Sequence, residues 1–109
     1  MTAPTLDNST AVAALGPWRC SAGTNQALIA NMKKAGLVQS RQVEAALLAI
    51  DRGNYVPHRP YDDAPQQIGY KATISAPHMH ASCLEKLHAV LANTDGDPPR
   101  ILDVGAGSG

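Results

Sequence analysis

Phenylalanine is missing from this sequence altogether, and the aromatic complement is one tryptophan and three tyrosines among 109 residues. Leu, Ile and Val together number only 21, just under the ~20% level below which a chain struggles to build a core. The high net charge that goes with disorder is also missing, since nine Lys and Arg face nine Asp and Glu. The composition therefore predicts a partial core, with apolar surface meant for elements outside these 109 residues. Balanced charge argues against a phosphate-neutralising surface, so no nucleic acid is expected, and against a polybasic membrane contact. No run of about 18 apolar residues exists to span a bilayer. The short apolar run Ala11-Val-Ala-Ala-Leu15 follows Asp7 and no basic residue, which does not fit a secretory signal. Cysteine is scarce as well. Cys20 and Cys83 make no disulfide framework and predict free thiols in a reducing compartment. Cys83 falls on a helical apolar face and reads as a small core residue.

What is present falls into an order. Residues 1–22, rich in Ala, Thr, Pro and Ser, show no period and read as an extension, with Trp18 able to dock back on the body. Thr24 caps a helix running to about Ala35. Its inner face carries Leu28, Ile29 and Met32, Lys33 and Lys34 suit the last-turn dipole, and Gly36 supplies the left-handed terminus. Ser40 caps a second helix from Arg41 to Ile50, with Val43, Ala46, Leu47 and Ile50 on one face. Pro57, Pro60, Pro65 and Gly69 break any regular pattern between Asn54 and Ser75. That span reads as an ordered loop over a site, with Tyr55 and Tyr61 as packing anchors. Ser75 then caps a third helix with Pro77 in its first turn, and Leu84, Leu87 and Leu91, with Met79, Cys83 and Val90, form its buried stripe. After a turn over residues 94–99, Arg100 opens a short inner strand that ends in Gly105-Ala-Gly-Ser-Gly109. This order is the opening of an α/β domain with a helical preface.

Three stretches invite chemistry. His78, His80 and Cys83 resemble metal ligands by type, but residues i and i+2 of a helix point about 200° apart, and no companion ligand pair is present. No metal is expected. Thr73 and Ser75 lie two apart in an extended segment and point the same way, next to a helix N-terminus that favours negative charge. They could hold a carboxylate, although on spacing alone capping by Ser75 is the favoured reading. Finally, glycines at 105, 107 and 109 after a strand offer bare backbone to a nucleotide or nucleoside. A nicotinamide dinucleotide fingerprint fits worse, because it wants its third glycine three residues after the second.

Taken together, Tyr61-Asp-Asp-Ala-Pro-Gln-Gln-Ile-Gly-Tyr70, Ala72-Thr-Ile-Ser-Ala-Pro-His-Met-His80 and Leu102-Asp-Val-Gly-Ala-Gly-Ser-Gly109 closely resemble protein-L-isoaspartate O-methyltransferase. Leu48-Ala-Ile-Asp-Arg52 and Asn54-Tyr55 match as well. The resemblance covers roughly residues 23–109 as part of a single methyltransferase domain and leaves residues 1–22 outside it.

The resemblance implies an α/β, Rossmann-like, S-adenosylmethionine-dependent methyltransferase, truncated after its first core strand and mainly helical in the part present. The family transfers a methyl group to the α-carboxyl of L-isoaspartyl residues in damaged proteins, a repair reaction. Carried over by motif, Ser75 is the active-site serine. Ala72, Thr73, Ile74, Ser75 and His80 line the pocket for cofactor and substrate, and Asp103, Gly105 and Gly107 belong to the first cofactor motif. The resemblance also implies a cytoplasmic monomer that meets isoaspartyl peptides and proteins. A carboxylate nucleophile, ionising at ~3.5 in an unstructured peptide, needs no general base at neutral pH. Because an anion meets a sulfonium, a positioning, water-poor site helps. Family members continue past the glycine motif, so the 109 residues alone are expected to be inactive or nearly so. The alternative is a non-catalytic fragment that binds peptide or another protein.

Overall fold

Thr24 is extended, at φ −139°, and its hydroxyl accepts the Ala27 N–H at 3.1 Å, which starts α1 (Asn25–Lys34). The far end closes as a Schellman motif. Gly36 turns to φ +82°, its N–H reaches the Lys33 carbonyl, and the Leu37 N–H reaches that of Met32 at 2.9 Å. Ser40 accepts the Val43 N–H at 3.3 Å and starts α2 (Arg41–Ala49). One Glu85 oxygen reaches across from the third helix and accepts the N–H groups of Gln39 and Ser40 at 2.6 and 2.8 Å. Burial opposes that charge, yet those backbone bonds hold the Glu85 carboxyl below its ordinary range.

In this computed structural model residues 19–93, 96 and 98–108 are described. Most of the expected extension, Trp18 included, lies outside them. After α2 comes a 3-10 turn (Arg52–Asn54), a loop, the antiparallel hairpin β1 (Gln66–Gly69) and β2 (Ala72–Ile74), and α3 (Pro77–Leu91). Gln66 pairs with Ile74, Gln67 with Thr73 and Gly69 with Ala72, leaving Ile68 as a bulge. The irregular loop foreseen for residues 54–75 thus contains a hairpin. Its turn residues, Tyr70 and Lys71, both have positive φ, +53° and +59°. That is the backbone of a type I′ turn, made here without the Asn or Gly that would announce it.

The core lies where α1 and α2 meet the first half of α3. It consists of Cys20, Leu28, Ile29, Met32, Leu37, Val38, Val43 and Ala81, with Leu47, Tyr61 and Leu84 packed at its edge. Cys20 belongs to it, and the Asn31 amide donates to the Cys20 and Ser21 carbonyls. Burial first, and the Asp63 carboxylate second, push the Cys20 thiol up to about 11, so it stays protonated and inert.

Several sequence expectations need correction here. Ser75 does not cap α3, whose N-cap is Ala76, with no side-chain bond of its own. The expected stripe of α3 is covered only in part, with Leu84 and Leu91 half-buried. Ala81 and Leu84 face the core, whereas Met79, Leu87, Val90 and Cys83 are exposed. Cys83 is two residues from Ala81, about 200° round the helix, so it points away from the core. On α2 only Val43 is fully buried, and Ile50 is 59% exposed. Residues 101–104 form no strand: Ile101, Leu102 and Val104 are exposed, and among the described residues the sheet consists of β1 and β2 alone. A strand exists only with a ladder partner.

Candidate functional site

The segment from β2 into α3 is held from beneath by two buried charges, Arg52 at 8% exposure and Asp63 at 1%. Asp63 takes over the capping role expected of Ser75. Its Oδ1 accepts the backbone N–H of His78 at 3.0 Å, the second amide of α3, and also His78 Nδ1 at 2.7 Å. The Ser21 hydroxyl in turn accepts the Asp63 N–H at 2.8 Å. A remote carboxylate therefore satisfies the helix terminus. The Ser75 side chain is left exposed and unspent on the backbone.

Arg52 sits on the 3-10 turn that follows α2. The Asp51 carboxylate caps that turn through the Gly53 N–H at 2.8 Å and also accepts from the Tyr61 hydroxyl at 2.7 Å. The Tyr61 bond, and then the Gly53 bond, hold the Asp51 carboxyl below its ordinary value. Gly53 leaves room for that bond: a Cβ there would come within 2.5 Å of the Tyr61 hydroxyl and force it to shift. From this turn Arg52 reaches the site, donating from Nη2 to the Ser75 carbonyl at 2.9 Å and meeting His80 Nδ1 through Nη1 at 3.5 Å. Its Nε is buried without a partner. Burial lowers the affinity of the guanidinium for its proton, and the charge of Asp63 opposes that. Burial, and then the Arg52 charge, push the His80 imidazole below its ordinary range, which keeps it neutral near pH 7.

The expected site residues fall into two groups. Ala72, Thr73 and Ile74 form β2, with Ala72 and Ile74 half-buried and Thr73 exposed. Thr73 and Ser75 are thus exposed in alternation with Ile74, as an extended segment requires. His80, half-buried, is tied to the same segment through Arg52. Asp103, Gly105 and Gly107 lie exposed in the C-terminal stretch, and Gly105 and Gly107 have φ of +76° and +63°. A side chain at either would be strained in that conformation. Among the described residues no hydrogen bond joins this stretch to residues 72–80. No cluster of three or more metal-ligating side chains occurs among the described residues: His78 turns to Asp63 and His80 to Arg52. An open depression of about 450 Å³ lined by Thr24, Asn25, Gln26, Leu48, Asp51 and Tyr61 contains none of the expected site residues.

Sequence reasoning did not single out Arg52 or Asp63. Arg52 looked like the end of a helix, and Asp63 one of two acids in a proline-rich loop. Their roles depend on partners 23 to 28 residues away for Arg52 and 15 residues away for Asp63, and no local pattern encodes such distances. Among the described residues no helix is long and apolar enough to cross a membrane.

Comparison with known proteins bears on this arrangement. A family model described as protein-L-isoaspartate(D-aspartate) O-methyltransferase matches residues 23–109. A protein-L-isoaspartate O-methyltransferase of Caenorhabditis elegans is 46% identical over 92 residues, covering 84% of this chain and 39% of the relative. Protein-L-isoaspartate O-methyltransferase 1 of Arabidopsis thaliana is 45% identical, covering 82% of this chain and 38% of the relative. The chain therefore spans less than two fifths of the length of these two relatives. A Plasmodium falciparum structure described as a protein-L-isoaspartate O-methyltransferase in complex with S-adenosyl-L-homocysteine superposes with a TM-score of 0.60 at 40% identity, covering 64% of this chain and 32% of that one. The fold is accordingly that of part of a Rossmann-like methyltransferase, mainly helical with a small sheet. By the extent of the family match, this chain belongs to the protein-L-isoaspartate(D-aspartate) O-methyltransferase family.

Proposed function

We propose that these residues supply the substrate-facing part of a protein-L-isoaspartate O-methyltransferase, which methylates the α-carboxyl of L-isoaspartyl residues in damaged proteins. The observation that carries the reading is the state of Ser75. Its hydroxyl is exposed, its carbonyl is pinned by Arg52, and Asp63 relieves it of capping duty. A hydroxyl so placed donates to a carboxylate and orients it without cancelling its charge, so the oxygen stays nucleophilic. Thr73, exposed in the same alternation, adds a second hydroxyl.

The cofactor of such a reaction is S-adenosylmethionine, which when bound supplies an electrophilic methyl group on a sulfonium. The residues fit it. Gly105 and Gly107 present bare backbone in left-handed conformations, and Asp103 offers an exposed acid beside them. In this reading Asp103, Gly105 and Gly107, with Ala72 to Ser75 and His80, would hold it. Gly105 and Gly107 are open to solvent, so these residues measured by themselves are expected to bind weakly and turn over slowly or not at all. Cytoplasmic location and a monomeric state belong to the same proposal.

The test uses two peptides that differ only in an isoaspartyl or an aspartyl linkage, with S-adenosyl-L-[methyl-³H]methionine. Base-labile label confined to the isoaspartyl peptide supports the reading. Saturable S-adenosylhomocysteine binding without label would leave the non-catalytic, peptide-binding alternative standing beside it. Equal labelling of both peptides, or neither label nor binding, overturns the proposal.

A further inference from the structure

Arg52 is costly to bury and has no local reason to be where it is. A guanidinium at 8% exposure with an unpartnered Nε gives up strong hydration. What it gains is a fork across two residues of the candidate site, Nη2 on the Ser75 carbonyl and Nη1 on His80 Nδ1. Arginine has donors only. The His80 nitrogen facing it must therefore carry no proton, and the proton of the neutral ring sits on Nε2. His78 is set the other way. Its Nδ1 faces the Asp63 carboxylate at 2.7 Å, an acceptor, and so bears a proton. Two histidines on one helical turn are thus fixed in opposite states by two buried, opposite charges.

We infer that Arg52 is a positioning residue for the site: it locks His80 in the Nε2–H form and fixes the Ser75 backbone, so that one neutral imidazole N–H and one hydroxyl are presented together to a ligand carboxylate. The inference rests on the methyltransferase reading for the identity of that carboxylate, which is either the isoaspartyl group or the carboxylate of the cofactor's amino-acid moiety. Neutrality matters to the reaction. An imidazolium would pair with a nucleophilic carboxylate and stabilise its ground state, whereas a neutral N–H orients it. The charge that acts on His80 is Arg52 on the 3-10 turn; Asp63, in the loop before β1, acts on Arg52, and His78 on α3 itself turns to Asp63. The lowered affinity of His80 for a second proton agrees with that arrangement.

The experiment is two-bond ¹H–¹⁵N correlation on the uniformly labelled chain at pH 7.5, with His80→Gln assigning the His80 resonances among the four histidines. In the wild type His80 should show a pyridine-type Nδ1 and a protonated Nε2, while His78 shows a protonated Nδ1. In Arg52→Met the His80 pattern should collapse towards a mixture of tautomers while His78 keeps its own, and Arg52→Lys should restore it in part. A protonated His80 Nδ1 in the wild type overturns the inference, whether or not the variant folds. So does an unchanged His80 pattern in a folded Arg52→Met chain. Titrations with S-adenosylhomocysteine and with an isoaspartyl peptide then locate the carboxylate. A His80 Nε2–H shift with one and not the other assigns it, and saturable binding that leaves that proton unmoved overturns the donor role. The tautomer is read on the free chain, so failure of the methyltransferase reading appears separately, as absence of binding by either probe.

Discussion

One oxygen of the buried Asp63 carboxylate accepts twice from His78, from its backbone N–H at 3.0 Å and from its Nδ1 at 2.7 Å. The same carboxylate starts α3, opposes through its charge the cost of burying Arg52 and leaves Ser75 free of the helix terminus. Asp63→Ala removes all three effects and leaves a guanidinium buried without an opposing charge. The expected cost is about 3–5 kcal/mol of folding stability, read from urea unfolding. Asp63→Asn keeps volume and an acceptor, and should cost about 1–3 kcal/mol.

Ser75→Ala separates capping from ligand contact. A lost N-cap costs about 1 kcal/mol. Because α3 takes no cap bond from Ser75, the substitution should change stability by no more than about 0.5 kcal/mol, while weakening carboxylate binding about tenfold, the worth of one hydrogen bond to a charged group. Thermal melts and peptide titration check the two halves.

The hairpin turn offers a stabilising change. Tyr70 is 104% exposed and, like Lys71, holds a left-handed backbone that L side chains resist. Lys71→Gly, or Asn and Gly together at 70 and 71, should strengthen the hairpin by about 0.5–1 kcal/mol. Slower amide exchange confined to residues 66–74 is the expected signature.

His80 gives a pH dependence with a definite sign. Its folded-state pKa lies below the ordinary 6.5 through burial and then Arg52, so the unfolded chain binds this proton more readily. Stability tied to the neutral ring is fully present above about pH 6.5 and is lost as pH falls towards the folded value, below which it levels off. The stability difference between wild type and His80→Gln, measured from pH 8 to 5, should shrink on the acid side of 6.5. A difference that grows there would contradict the assignment.

The helices were legible because their signals are local. Thr24 and Ser40 cap α1 and α2 as their positions suggest, and Gly36 closes α1 with φ +82°. The hairpin was not legible, because Tyr70 and Lys71 carry none of the residue preferences of a type I′ turn. The start of α3 misled, since a serine before Pro77 looks like a cap, and only the fold reveals that Asp63 already occupies the amide. Leu87, Val90 and Met79 have the period of a buried face, yet among the described residues nothing covers them. Periodicity reports that a face is apolar and not what will lie against it. Ser75 and His80 were singled out through the Ala72–His80 motif, whereas the charges that hold the Ser75 carbonyl and face His80 were hidden in the chain's long-range contacts.

The most direct test of a carboxylate site at residues 72–80 follows the backbone amides of the chain during titration with the isoaspartyl peptide and its aspartyl isomer, S-adenosylhomocysteine being present throughout. Saturable shifts centred on Thr73, Ser75 and His80 are expected with the isoaspartyl peptide, and none of that pattern with the isomer. Equal shifts from both peptides, or saturable binding that leaves residues 72–80 unmoved, would contradict it.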